Sequence, residues 1–134
     1  MAIKRLVLDT NAYSRLLLGD QAVKEALNQA EKTFVPLFVI AELLFGFKNG
    51  SREEENRKTL NQFLSEETVE LFLPTLETAE IFSALMADLK KKGAPLPTHD
   101  VWIAAIAIET GSVVVTYDRH FLEIAQARVW SNVG

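Results

Sequence analysis

The chain has 134 residues, 49% of them hydrophobic, with 18 acidic against 14 basic side chains and a net charge of −4. That length and apolar content point to a single domain, residues 1–134, with a sizeable core, and exclude a disordered chain. The absence of cysteine removes disulfides, thiolate metal sites and thiol nucleophiles. The acidic balance weighs against a binder that grips phosphates with Lys and Arg alone.

Strand-length apolar runs alternate with helical ones, the pattern of an α/β protein with a mainly parallel sheet. Residues 3–8 read as the first strand. Residues 11–18 predict a short helix ended by Gly19, and Asp20 caps a second helix with Val23, Ala26, Leu27 and Ala30 on its inner face. Residues 33–36 form a second strand, and residues 37–47 a strongly apolar helix that carries Glu42. Ser51 and Glu54 have capping-box spacing, for a helix running to about Leu64. Residues 69–73, stopped by Pro74, are the third strand. Thr75 then caps a long amphipathic helix with Ala79, Phe82, Met86 and Leu89 on one face and Gly93 at its end. Residues 94–98, with two prolines, form a loop, and Thr98 caps a helix from about His99 to Thr110. This helix is apolar nearly all round, which places it deep in the fold. Residues 113–115 are a β-branched fourth strand, residues 121–125 a helical turn and residues 128–130 an edge strand. No internal repeat or linker interrupts the pattern. The start lacks the h-region and cleavage site of a signal peptide, and no run is long enough to span a bilayer, so a cytoplasmic location without membrane contact is expected.

Four acids stand at junctions of this pattern. Asp9 follows Leu6, Val7 and Leu8 and precedes a helix, at the carboxyl end of a strand, where open α/β sheets hold their ligands. Asp118 lies just beyond the fourth strand, Glu42 sits among Ala41, Leu43 and Leu44, and Asp100 occupies the first turn of the deep helix. If the first and fourth strands are neighbours, Asp9 and Asp118 meet at one sheet edge, and Glu42 and Asp100 close the pocket from either side. Two carboxylates about 5 Å apart repel by about 3 kcal/mol at an effective dielectric near 20. A divalent cation removes that cost, and carboxylate oxygens suit Mg²⁺ or Mn²⁺ better than zinc.

Structural readings stand beside the functional one. Asp100 complements a helix dipole, Asp118 caps a turn and Asp9 makes an Asx-type cap. Glu42, among apolar neighbours, is the hardest to dismiss in this way. Thr10, Asn11 and Thr116 either orient carboxylates by hydrogen bonds or serve as caps and packing. Arg119, His120 and His99 are candidate phosphate contacts. Lys90, Lys91 and Lys92, and the looser set Arg52, Arg57 and Lys58, are further basic clusters.

Leu6-Val7-Leu8-Asp9-Thr10-Asn11, Ala41-Glu42-Leu43, Pro97-Thr98-His99-Asp100-Val101-Trp102-Ile103-Ala104-Ala105 and Thr116-Tyr117-Asp118-Arg119-His120-Phe121, in this order and spacing, resemble the motifs of a PIN domain. Within that family the likeness is to VapC-type toxins of toxin–antitoxin pairs. The resemblance implies a three-layer α/β/α sandwich around a central, mainly parallel sheet of four to five strands. It also implies a metal-dependent endoribonuclease that acts on RNA with Mg²⁺ or Mn²⁺, is usually a homodimer and is paired with a cognate antitoxin. The family's catalytic, metal-binding acids fall on Asp9, Glu42, Asp100 and Asp118, and its small polar position falls on Thr116. His99 departs from the pattern, since many relatives carry Asn or another small polar residue there. Leu16, Leu17, Leu18, Leu43, Leu44, Phe45 and Phe47 supply either an apolar groove for an antitoxin helix or simply core. Two rival readings remain. One is a phosphotransfer enzyme with a strand-end Asp, although the haloacid dehalogenase-type signature needs a second Asp where Asn11 stands. The other is a non-catalytic binding module whose acids cap helices.

Overall fold

The computed structural model describes residues 5–130 and 132–133. Its strands are Arg5–Leu8 (β1), Lys32–Pro36 (β2), Val69–Phe72 (β3), Val113–Val115 (β4) and Arg128–Val129 (β5). Its helices are Thr10–Leu17 (α1), Gln21–Gln29 (α2), Leu37–Lys48 (α3), Glu53–Leu64 (α4), Leu76–Lys92 (α5) and Thr98–Thr110 (α6), and a 3₁₀ turn spans Arg119–Glu123. The strands form one sheet in the order β3-β2-β1-β4-β5, and every pair is parallel.

Strand order decides where the helices go. Right-handed crossovers that step from β1 to β2 to β3 put α1 to α4 on one face, and the return from β3 to β4 puts α5 and α6 on the other. Helix contacts agree: α1 packs on α2 and α3, α3 on α4, and α5 on α6. The result is the expected three-layer α/β/α sandwich. The direction of the crossovers reverses between β1 and β4, so the crevice at their carboxyl ends is the topological switch point, where α/β sheets place ligands.

The core explains the deep helix. Leu6, Val7 and Leu8 of β1 and Val114 and Val115 of β4 are fully buried, as are Val101, Ile103, Ala104, Ala105 and Ile106 of α6. Such a helix, with small residues against the sheet, needs no polar face. Both α5 and α6 end on a glycine with positive φ, Gly93 at 68° and Gly111 at 66°, where a Cβ would be strained. Thr75 opens α5 as expected, its N–H donating to Thr78 Oγ1 at 3.0 Å. The most buried line of α5 runs through Thr78, Leu85 and Leu89, with Phe82 and Met86 only partly covered.

The first strand is described over Arg5–Leu8; residues 3 and 4 of its expected span lie outside the described residues. The turn expected over residues 121–125 spans Arg119–Glu123, and two caps differ from the sequence reading. Ser51 does not cap α4: Arg52 holds the N-cap position without a side-chain bond, and Glu53, Glu54 and Glu55 in the first turn complement the helix dipole instead. Thr98 is the first helical residue of α6, not its cap. Pro97 takes that place, its carbonyl accepting from the N–H of Asp100 at 3.1 Å.

Candidate active site at the β1–β4 switch point

The register of the central pair pins the floor of the site. Leu8 lies opposite Val115, and one step on the Asp9 N–H donates to the Val115 carbonyl at 3.1 Å. Asp9 and Thr116 therefore leave the sheet side by side. Both are buried, and Thr116 Oγ1 donates to Asp9 Oδ2 at 2.8 Å. Asn11 Nδ2 donates to the same oxygen at 3.0 Å, and the Thr10 N–H to Oδ1 at 2.7 Å. Asp9 is thus both the N-cap of α1 and the floor of the crevice. Burial pushes its pKa up; the Thr116 and Thr10 hydrogen bonds and the nearby His99 pull against that, and Asp100 adds to it.

The same polar residues carry the β4 exit. Asn11 Oδ1 accepts from the Tyr117 N–H at 2.9 Å, and Thr116 Oγ1 accepts from the Asp118 N–H at 2.9 Å. Asp118 Oδ1 then caps the 3₁₀ turn by accepting from the His120 N–H at 2.9 Å. On the far side, Trp130 Nε1 donates to the Thr116 carbonyl, and the Tyr117 hydroxyl donates to Asp20 Oδ2 at 2.8 Å with Arg15 over its ring.

The walls come from opposite faces of the sheet. Glu42 on α3 is nearly half exposed, with 47% of its side-chain surface open. Its apolar neighbours had suggested burial, but of these only Leu43 is buried, with Leu44 partly covered and Ala41 exposed like Glu42 itself. Its Oε1 accepts from Thr10 Oγ1 at 2.5 Å and lies 2.8 Å from His99 Nε2. The imidazole contact is a close ion approach without hydrogen-bond alignment, because Nε2 is buried and makes no hydrogen bond. The Asp100 carboxylate beside His99 holds that imidazole above its ordinary range, with Glu42 and Asp9 adding to the effect and burial opposing it.

Asp100, at the start of α6, is the least satisfied acid. Its side chain is 8% exposed, and its Oδ2 is buried without a hydrogen-bond partner. His120 Nδ1 lies 3.3 Å from that oxygen and 3.1 Å from Asp118 Oδ1. Ligand atoms of Asp100, Asp118 and His120 all fall within 4.8 Å of one another. Two carboxylates, one imidazole and an orphaned buried oxygen fit a divalent cation, which would satisfy Oδ2 and neutralise the pair.

All four acids thus surround one crevice, but not as equals. Asp100 and Asp118 form the tight pair, Asp9 joins through Thr116, and Glu42 joins through His99. His99 and His120, read from sequence as free phosphate contacts, instead lie against the acids. Their signal was adjacency, one residue before Asp100 and two after Asp118. The Asp20, Tyr117 and Trp130 supports had no signal in local spacing. Arg119 is exposed. The basic clusters contribute nothing to this geometry: Arg52 pairs with Glu55, and Lys92 donates to the Glu123 carbonyl.

The model of the PIN domain family matches residues 6–127. The chain belongs to the PIN domain family. No curated protein sequence matches it significantly. In fold this PIN domain is similar to a chain of DNA-bound VapBC from Salmonella typhimurium, with a TM-score of 0.83 and 25% identity over 96% of this chain and 98% of that chain. It is likewise similar to VapBC2 from Rickettsia felis bound to a DNA fragment from its promoter, with TM-score 0.80 and 21% identity over 94% and 97% of the two chains. VapBC-1 from nontypeable Haemophilus influenzae gives TM-score 0.80 and 22% identity over 94% and 96%. No helix of the described residues is long and apolar enough to cross a membrane.

Proposed function

We propose that this PIN domain is a metal-dependent endoribonuclease, the toxin of a toxin–antitoxin pair, acting in the cytoplasm as a homodimer. The observation that carries the catalytic reading is the buried Asp100 Oδ2, without a hydrogen-bond partner and clustered with Asp118 and His120. In this reading Asp100 and Asp118, with His120, hold Mg²⁺ or Mn²⁺, and Asp9 supports them from the floor through Thr116. When bound, such an ion neutralises the carboxylates and polarises a phosphodiester oxygen. Glu42, the most open of the acids, accepts a hydrogen bond from the attacking water and orients it. Thr10 and His99 hold the Glu42 carboxylate in place for that task. Arg119, the exposed first residue of the 3₁₀ turn, meets a phosphate.

The rival readings fit less well. A binding module needs each acid only as a cap. Asp9 and Asp118 do cap, but Asp100 Oδ2 caps nothing. A phosphotransfer enzyme needs Asp9 as a nucleophile, and its oxygens are engaged by Thr10, Asn11 and Thr116. Purified chain with a labelled single-stranded RNA and Mn²⁺ should cut it, and EDTA or Asp100→Asn should abolish cutting. Activity surviving both changes would sink the proposal.

The antitoxin reading draws on the VapBC complexes named above and on exposed apolar side chains. Leu18 is 88% exposed and Phe45 67%, next to partly buried Leu16, Leu17 and Leu44. Leu43 and Phe47 of the expected groove belong to the core. A partner helix covering Leu18 and Phe45 fits this surface, and co-purification with a small protein encoded next to this chain is the check.

A further inference from the structure

A second feature lies one residue from the acids, and only His99 joins it to the scheme above. Phe38, Pro74, Thr98, His99 and Trp102 line an open cleft of about 420 Å³, within the size range of small-molecule pockets, roughly 300–1,000 Å³. Its walls are flat rings. Trp102 stacks on Phe82 at 4.2 Å and 16°, which fixes the indole, and Phe38 meets His99 edge to face at 5.0 Å. His99 is the shared wall, since its Nε2 lies 2.8 Å from Glu42. Two lining residues carry polar groups: neither the Thr98 hydroxyl nor the Trp102 indole N–H has an interaction with other described residues beyond the ring stack.

We propose that this cleft is a nucleobase subsite, which seats the base of a nucleotide flanking the phosphate cut at the acids. A base has apolar faces and a hydrogen-bonding edge, and the cleft has the same division. Stacking on fixed aromatic rings holds a single-stranded base without demanding one sequence. Thr98 and Trp102 Nε1 would then bias which base edge is accepted. A net charge of −4 leaves little general attraction for phosphate, so stacking supplies grip that the surface charge does not. This inference rests on the RNA reading.

The test is an abasic scan. Single-stranded RNA decamers cut by the native chain in Mn²⁺ are remade with one abasic ribose moved stepwise past the cleavage site. Loss of one flanking base should lower kcat/KM by roughly five- to 150-fold, in line with measured base–aromatic stacking, and other positions should change it little. Trp102→Leu and Phe38→Leu should flatten that profile, and Trp102→Phe should restore most of it. If Trp102→Leu fails to fold, the native scan and Phe38→Leu still decide. A flat native scan with cleavage intact overturns the subsite and leaves the nuclease standing. No cleavage of any decamer overturns both. Concentration-dependent shielding of Trp102 from acrylamide in the free chain would mark the cleft as a protein interface and overturn the subsite.

Discussion

Asp100→Asn separates the electrostatics of the crevice from its catalysis. The substitution keeps shape and removes one charge from a pair whose atoms lie within 4.8 Å. Two unit charges at that distance repel by about 3.5 kcal/mol at an effective dielectric near 20. Asp118 retains 29% of its side-chain exposure, so solvent screens part of this. The approach of His120 at 3.1 and 3.3 Å offsets a further part. About 1–2 kcal/mol then remains to be relieved. In EDTA at pH 8 the Asn variant should therefore melt roughly 4–8 °C above the native chain. Mn²⁺ at a hundred times its Kd should stabilise the native chain by about 2.7 kcal/mol and the variant hardly at all, reversing the order. Scanning calorimetry across a Mn²⁺ titration reads both limbs. A variant less stable than the native chain in EDTA, or a native chain indifferent to Mn²⁺, would refute the reasoning.

Two further perturbations probe the supports. Thr116→Val deletes the hydroxyl that donates to Asp9 and accepts from the Asp118 N–H; urea denaturation should show a loss of about 1–3 kcal/mol, largely recovered by Thr116→Ser, and a loss near zero would remove Thr116 as the link between the strand ends. Asp20 is held below its ordinary range by the Val23 N–H and the Tyr117 hydroxyl, so its folded pKa is the lower one and its stabilisation is present above about pH 4 and lost as pH falls through the folded value. Asp20→Asn keeps a good capping residue but cannot titrate, so the Tm advantage of the native chain should shrink on going from pH 5 to pH 2, and an advantage constant over that range contradicts this role.

The fold was legible because its signals are local and mutually consistent. Val113, Val114 and Val115 have nowhere to go but a buried strand, and the apolar run from Val101 to Ala107 is buried at every position but Trp102. What spacing could not give was strand order. Nothing local to Leu8 or Val115 says that they are partners; that follows from crossover handedness and from which helices fill each face. Boundaries failed where two capping chemistries competed. Ser51 had the right spacing to Glu54, yet three successive glutamates start α4 two residues later. Thr98 is a good cap by type, but Pro97, with its fixed φ and a carbonyl that accepts from the Asp100 and Val101 N–H groups, takes the position.

The site was legible in its acids and not in its counter-charges. A count of carboxylates gives four negative charges in one crevice and makes a metal ion the sole remedy. The structure interleaves two imidazoles, His99 between Glu42 and Asp100 and His120 between Asp100 and Asp118. For His99 the sign follows from its neighbours: Asp100 raises the folded pKa above the unfolded one, so the stabilisation is full below about pH 6.5 and fades as pH rises through the folded value. The protonated ring is thus a partial cation already seated among the acids, and burial is the force that keeps it from being a stronger one. Asp100 Oδ2 is the position that this compensation does not complete, since His120 approaches it without a hydrogen bond. Asp9 and Asp118 accept from the backbone they cap and Glu42 from Thr10, so among the four acids the buried oxygen left without a hydrogen bond, Asp100 Oδ2, and not the total charge, locates where a cation would sit.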